Sequence, residues 1–100
     1  MALGPVVDGR VLWSVPDGWR QGRGAWGGLV IGAMLRAMQA CAPDVAPVRT
    51  VSAQISNPVG GEVEITVQAV RVGSSMTTWH VEVSDRADGQ HLAQAALITG

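Results

Sequence analysis

The sequence contains no lysine, phenylalanine or tyrosine, and Cys41 is its single cysteine among 100 residues. One cysteine excludes a disulfide within the chain and a zinc site built on several thiolates. Cys41 ends an apolar run, where a cysteine is typical of a core position rather than of a reactive thiol. A chain without disulfides fits a reducing compartment, so we expect a cytoplasmic protein.

Charge is also scarce. Only 15% of the residues are charged, the basic residues are seven arginines that stand singly, and the formal net charge is -1. A nucleic-acid-binding surface needs a basic stripe that follows the phosphates, so the sequence predicts no nucleic-acid partner. No H-x-x-x-H or C-x-x-C spacing occurs, so neither a metal ion nor another cofactor is predicted.

Long hydrophobic runs are missing as well. The longest apolar segment, residues 25–35, is closed by Arg36, and a membrane-spanning helix needs roughly 20 apolar residues. Residues 1–10 lack the basic start and the apolar block of a signal peptide. We therefore expect no membrane association.

Apolar residues, by contrast, make up 47% of the chain, which is enough for the core of one domain. Turn residues punctuate the second half of the chain at Asn57-Pro58, Gly73-Ser74-Ser75 and Asp88-Gly89. The periodicity of the apolar residues predicts one helix at 27–41 and five strands, at 10–15, 48–57, 62–72, 76–85 and 90–99.

The helical segment is apolar on nearly every face, with Arg36 as its sole charge, which indicates a helix surrounded by other structure. In the strand that follows it, Val51, Ala53 and Ile55 share one face and polar residues share the other, which predicts a half-buried strand. One antiparallel sheet curled around one helix satisfies these patterns, so we predict a single α+β unit that spans the whole chain.

Glycine is concentrated at the start of the helix, in GRGAWGGLVIGAML, residues 22–35. Glycine within a helix costs about 0.5 to 1 kcal/mol relative to alanine, so these positions need a reason. Gly28 and Gly32 share one helix face and would let a strand backbone approach closely.

Four segments, taken in order, resemble the hotdog-fold acyl-CoA thioesterase family, and within it the N-terminal half of the thioesterase II-like members that carry two hotdog units. AWGGLVIGAMLRAM resembles the family's helix start, ISNPVGGEVEI a strand that ends in a turn, AVRVGSSMTTWHVEV the Arg-x-Gly-Ser strand pair, and DGQHLAQAALI the last strand. The resemblance implies a five-stranded antiparallel sheet around one central helix, in the spatial order first, third, fourth, fifth, second.

The resemblance also implies a partner, because two hotdog units of this family lie side by side in a continuous sheet. The second unit is expected from another copy of the chain, as a homodimer, or from a missing C-terminal half. The sequence stops directly after its last predicted strand, which favours the missing half. The implied activity is hydrolysis of a thioester of CoA or a similar carrier, in fatty acid metabolism.

Thioester hydrolysis needs a polarised carbonyl, and the free N–H groups at the positive end of a helix bind a developing oxyanion. Gly27 and Gly28 are the candidate backbone donors, and without side chains they would admit a thioester. The alternative is that they only allow tight helix packing. Trp26 beside them would line an acyl tunnel, although a core or rim position is the simpler interpretation.

Four further residues are candidate substrate contacts. Arg71 suits a phosphate of CoA, because a guanidinium fork matches phosphate oxygens. Gly73 and Ser74 follow in the turn that lies near the substrate channel in the family. Asn57 is a candidate for contact with polar groups of the substrate. The alternatives are an exposed strand arginine and ordinary turn chemistry.

The sequence does not reveal the catalytic residues. Related hotdog thioesterases place an acid about two turns into the helix, where this sequence has Met34, Leu35 and Arg36. In the two-hotdog type, the resemblance implies that an Asp, a Gln and a hydroxyl residue of the other half do the work, and the position of that Gln falls near Leu97.

His80 and His91 are possible general bases, but neither has an acid at a sequence spacing that would orient it, so we interpret both as surface or rim residues. A hydratase-type hotdog is set aside, because WRQGRGAWGG lacks the Asp and His pair that such enzymes place before the helix. Two interpretations remain: a thioesterase unit that acts with a second hotdog half, and a non-catalytic acyl-binding or structural half.

Overall fold

The computed structural model describes residues 3–16, 20–21, 24–25 and 27–100. The one helix recorded in them, α1, spans Gly27–Cys41, the range that its apolar run predicts. The strands are β1 Leu3–Val7, β2 Arg10–Ser14, β3 Arg20–Gln21, β4 Gly24–Ala25, β5 Val48–Ile55, β6 Glu62–Val72, β7 Thr77–Asp85 and β8 His91–Thr99.

The main sheet has six strands in the order β1-β2-β6-β7-β8-β5, and each neighbouring pair is antiparallel. With β1 left aside, this is the spatial order that the family resemblance implies. β6 and β7 lie in the middle of the sheet, and β1 and β5 are its two edges. α1 packs against β1, β2, β6 and β7.

The expectation of five strands is wrong, because an N-terminal hairpin adds β1 to the sheet. Asp8 and Gly9 form its turn with φ angles of 51° and 74°, and Asp-Gly is a strong signal for a two-residue hairpin. Gly4 and Pro5 argue against a strand in sequence, but an edge strand tolerates proline because its outer N–H needs no partner. The segment before α1 also contains the short antiparallel pair of β3 and β4.

One stripe of α1 is buried in the core. Its members recur at the spacing of a helix that packs on a sheet through one face: Val30, Ala33, Met34, Ala37 and Met38. The opposite side of the helix is exposed, including Arg36 and Ala40. The expectation of a surrounded helix therefore fails for the residues that the structure describes, since the sheet covers only one side of α1.

The expectation that β5 is half-buried is also wrong. Val51 and Ile55 are 40% and 41% exposed, although they share a sheet face with the buried Ala93 and Leu97 of β8. The physical reason is position: β5 is the outermost strand, beyond the four strands on which α1 packs. Within residues 3–16, 20–21, 24–25 and 27–100, β5 thus carries an exposed apolar strip and pairs with no strand on its outer edge.

Candidate active site

The start of α1 lies beside the end of β5. A Cβ atom built on Gly27 would lie 3.5 Å from Cδ1 of Ile55, and Gly28 is exposed. The first N–H groups of a helix have no acceptor within the helix, so both glycines present donors at this end. The first turn contains no acidic residue, which keeps the positive end of the helix dipole available to an anion. Trp26, the predicted tunnel residue, lies outside the described residues.

Asn57 follows β5 and is bound to β8. Its Nδ2 donates to the carbonyl oxygen of His91 at 2.9 Å, and its backbone N–H donates to the carbonyl of Leu92 at 3.1 Å. These contacts are typical of a residue that stabilises a turn, which is the alternative that the sequence left open for Asn57. Contact with polar groups of a substrate stays a prediction.

Arg71, Gly73 and Ser74 come together at the hairpin between β6 and β7. They line a cleft of about 310 Å³ with Thr78 and Ile98, and with Ser75 and Met76 of the same hairpin. Gly73 donates its N–H to the carbonyl of Met76 at 2.8 Å, and a Cβ atom at Gly73 would lie 2.9 Å from that oxygen. A larger residue would therefore force the turn apart, so the turn geometry explains why glycine stands at position 73.

The structure does not bring the two groups of candidate residues together. Across the sheet, Arg71 of β6 is aligned with Thr50 of β5, through the paired residues Thr78 and Ile98. Ile55 of β5 is aligned with Ile65 of β6, through the paired residues Ala93 and Val83. Thr50 and Ile55 are five residues apart on β5, which corresponds to about 17 Å along a strand. The helix start and the Arg71 cleft therefore lie toward opposite ends of the sheet.

No acid faces the helix start from α1 itself. Met34 is buried, Leu35 is half-buried, and Arg36 is exposed. Leu97, near the position of the Gln implied by the resemblance, is fully buried in the core. Within the described part of the chain, the helix and the last strand thus have neither an acid nor a Gln at the positions where the resemblance implies them.

His91 has a partner that sequence spacing did not reveal. Its Nδ1 lies 2.7 Å from Oε2 of Glu82, across the β7–β8 hairpin. The expectation that neither histidine has an acid to orient it is therefore wrong for His91. Glu82 pairs with Gln94 and His91 pairs with Ser84, so the two residues are not directly opposite and the turn alone does not predict their contact.

His80 makes a weaker contact. Its Nε2 lies 3.4 Å from Oε1 of Gln94, on the neighbouring strand. His80 alternates with the buried Val81, so it projects from the sheet face opposite α1, which we call the outer face. Its surroundings are those of a surface histidine.

Cys41 is half-buried at the end of α1 and packs against the core. Burial raises the pKa of its thiol above the ordinary value, because the thiolate is poorly solvated there. A thiol with a raised pKa is a poor nucleophile at neutral pH, which agrees with the interpretation of Cys41 as a core residue.

Within the described residues, no three side chains of His, Cys, Asp or Glu approach closely enough to hold a metal ion. The helix of this part of the chain is too short to cross a membrane.

Comparison with known families shows that residues 15–100 match the acyl-CoA thioesterase N-terminal domain. The chain belongs to this acyl-CoA thioesterase family. Comparison with the curated proteins gives no match.

Solved structures with the same fold include thioesterase-family proteins, all below 25% identity. A hotdog-fold protein of unknown function from Alicyclobacillus acidocaldarius is 18% identical, with a TM-score of 0.88 over 99% of this chain and 37% of its own. A candidate thioesterase II from Thermobifida fusca YX is 20% identical, with a TM-score of 0.86 over 99% and 36%. The chain therefore spans little more than a third of the length of either protein.

A third structure is closer in length. The protein smu.793 from Streptococcus mutans UA159, bound to acetyl CoA, is 18% identical, with a TM-score of 0.81 over 98% of this chain and 86% of its own. These likenesses show the fold: the thioesterase-family chain has a hotdog fold, and its described residues form one helix against an antiparallel sheet of six strands.

Proposed function

We propose that the chain is a single hotdog unit of an acyl-CoA thioesterase, which hydrolyses a thioester of CoA or a similar carrier together with a second hotdog unit. One observation carries the proposal: the glycine start of α1 lies open beside Ile55, on an edge strand whose apolar side chains are exposed. A second unit seated against β5 would enclose this place and form a site at the boundary. The single cysteine leads us to expect a cytoplasmic location, which is compatible with this function.

In the proposed reaction, the thioester carbonyl oxygen lies at the start of α1. The backbone N–H groups of Gly27 and Gly28 donate to this oxygen as water attacks the carbonyl carbon and negative charge develops. The thiol of the carrier then leaves. The base that activates water comes from the second unit, as the family resemblance implies, because α1 contains no carboxylate.

Arg71 has a separate role in the proposal. CoA is long, and its phosphates are separated from the thioester by the whole pantetheine arm. The Arg71 cleft, with the hydroxyl groups of Ser74 and Thr78, suits a phosphate rather than the reacting carbonyl. Along the strands, the cleft lies about 17 Å from the helix start. This separation fits a ligand whose two ends contact both places in one unit, or one that contacts the helix start of one unit and the cleft of the other.

A non-catalytic acyl-binding or structural half is the second candidate. The observation that favours it is the apolar character of the positions where related enzymes carry polar groups, Met34 and the fully buried Leu97. Such a half would complete the sheet and the tunnel without donating to the oxyanion.

The two candidates differ in what they predict for Gly28→Val. If the helix start holds the thioester oxygen, valine blocks its approach, and kcat/KM for acyl-CoA falls by about a hundredfold, the size of one lost oxyanion contact. The assay is release of free thiol by the protein together with its second hotdog unit. Ala40→Val is the matched control, because it places the same side chain on an exposed position at the far end of α1.

A thermal melt accompanies both variants, to show that they are folded. Gly28 is exposed, so valine there should disturb the fold less than a substitution at Gly32, which is half-buried. Unchanged turnover in folded Gly28→Val would contradict the oxyanion role and favour the non-catalytic half.

A further inference from the structure

The start of β8 contains an irregularity that the proposed chemistry does not use. Val83 pairs with Ala93 and Ser84 pairs with His91, so Leu92 is an extra residue in the ladder. Leu92 and Ala93 are both buried, which a regular strand with alternating sides does not allow. Such bulges redirect side chains and are frequent near active sites.

The bulge binds the chain directly after β5. The carbonyl oxygen of Leu92 accepts the N–H groups of Ser56 and Asn57 at 2.9 and 3.1 Å, and the carbonyl of His91 accepts Nδ2 of Asn57 at 2.9 Å. Three hydrogen bonds therefore fix the turn at the end of β5. Ile55 immediately precedes this turn and lies against Gly27.

The same bulge directs the imidazole of His91 onto the carboxylate of Glu82 at 2.7 Å. The two side chains are 37% and 44% exposed, and a pair at that exposure contributes little to overall stability. The pair joins Glu82 to the residue whose carbonyl accepts the side chain of Asn57.

We infer that Glu82 and His91 are positioning residues: their contact holds the bulge that binds Ser56 and Asn57, and so sets the place of Ile55 against the start of α1. The catalytic part of this inference rests on the proposed thioesterase function. Neither residue touches the substrate. A misplacement of Ile55 and the adjacent helix start would reduce turnover by disturbing the geometry of the reacting carbonyl.

The first test is amide hydrogen exchange in Glu82→Ala, Glu82→Gln and Glu64→Ala. Glu64 is the matched control, because it is another partly exposed strand glutamate, and its carboxylate lies near Arg10 on β2 instead of His91. We expect the N–H groups of Ser56 and Asn57 to exchange about threefold faster in Glu82→Ala than in Glu64→Ala. Glu82→Gln keeps an oxygen that accepts from His91 and should restore most of the protection.

The second test is hydrolysis of acyl-CoA by the same variants, together with the second hotdog unit. We expect kcat to fall about fivefold in Glu82→Ala with KM unchanged, and to recover in Glu82→Gln. Equal exchange in Glu82→Ala and Glu64→Ala overturns the inference, and so does faster exchange with unchanged kcat. If the unsubstituted protein hydrolyses no acyl-CoA, the proposed function fails, while the exchange comparison still decides whether the pair holds the turn.

Discussion

Thr99 is a polar residue in a position where most neighbours are apolar. It is 2% exposed, and its hydroxyl oxygen accepts a hydrogen bond from Nε1 of Trp79 at 3.0 Å. A buried polar group costs free energy unless it is paired, so each of these residues depends on the other. The pair fixes the indole ring on the sheet face that α1 covers.

Thr99→Val keeps the shape of the side chain and removes the acceptor. We expect the free energy of unfolding to fall by about 1 kcal/mol, because Trp79 loses its partner. The measurement is urea denaturation, with Thr50→Val on the exposed strand β5 as the control. Equal stability of the two variants would contradict a structural role for the pair.

Contacts between residues close in sequence were predictable, and contacts across the fold were less so. Arg71, Gly73 and Ser74 were grouped correctly because they share one hairpin. The pair of Glu82 and His91 was missed because its members are nine residues apart and meet only through the register of two strands and a bulge. A bulge has no clear signal in HLAQAALIT, which alternates poorly.

The N-terminal hairpin shows how an element enters the fold through its turn. Gly9 has φ at 74°, its carbonyl accepts the N–H of Val67 at 2.8 Å, and a Cβ atom there would lie 3.0 Å from the carbonyl oxygen of Val67. Gly89, in the β7–β8 turn, has the same φ but open space around it. A side chain at position 9 would thus meet both backbone strain and close packing, whereas a side chain at position 89 would meet backbone strain alone.

Alanine substitution at these two glycines should give different losses. Both variants force a left-handed conformation on alanine, which costs about 1 kcal/mol. Gly9→Ala also presses on the backbone of β6, so we expect it to lose about 1 kcal/mol more than Gly89→Ala. Thermal denaturation checks this, and equal shifts in Tm would show that the turn of the hairpin is not packed tightly on β6.

Elements were predictable where a periodic pattern was strong. The apolar run of α1 and the alternation in β6 gave ranges that agree with the structure. The burial of β5 was not predictable from Val51, Ala53 and Ile55, because their alternation describes a strand and not what covers it. β5 is exposed because α1 packs on β1, β2, β6 and β7, toward the other edge of the sheet.

At the scale of the whole molecule, α1 and the sheet do not cover each other completely. Among the described residues, one side of α1 is exposed, and no strand pairs with the outer edge of the apolar strip on β5. Exposed apolar strand edges promote pairing with another chain. With few charges to prevent it, the chain is expected to associate with a second hotdog unit through β5, and stable interfaces bury roughly 1,200 Å² or more.

Val51→Lys tests both association and hydrolysis, which together form the central claim. Lysine places a charge on the exposed strip of β5 and should weaken the interface. Val7→Lys is the control, because Val7 is exposed on β1, at the opposite edge of the sheet from β5.

The decisive measurement is thiol release from acyl-CoA by the protein together with its second hotdog unit, made on samples whose association is followed by sedimentation. We predict that the unsubstituted protein and Val7→Lys associate and hydrolyse alike, whereas Val51→Lys loses both properties together, with turnover reduced by about tenfold or more. A monomeric protein that hydrolyses acyl-CoA at full rate, or an associated one that hydrolyses none, would contradict this prediction.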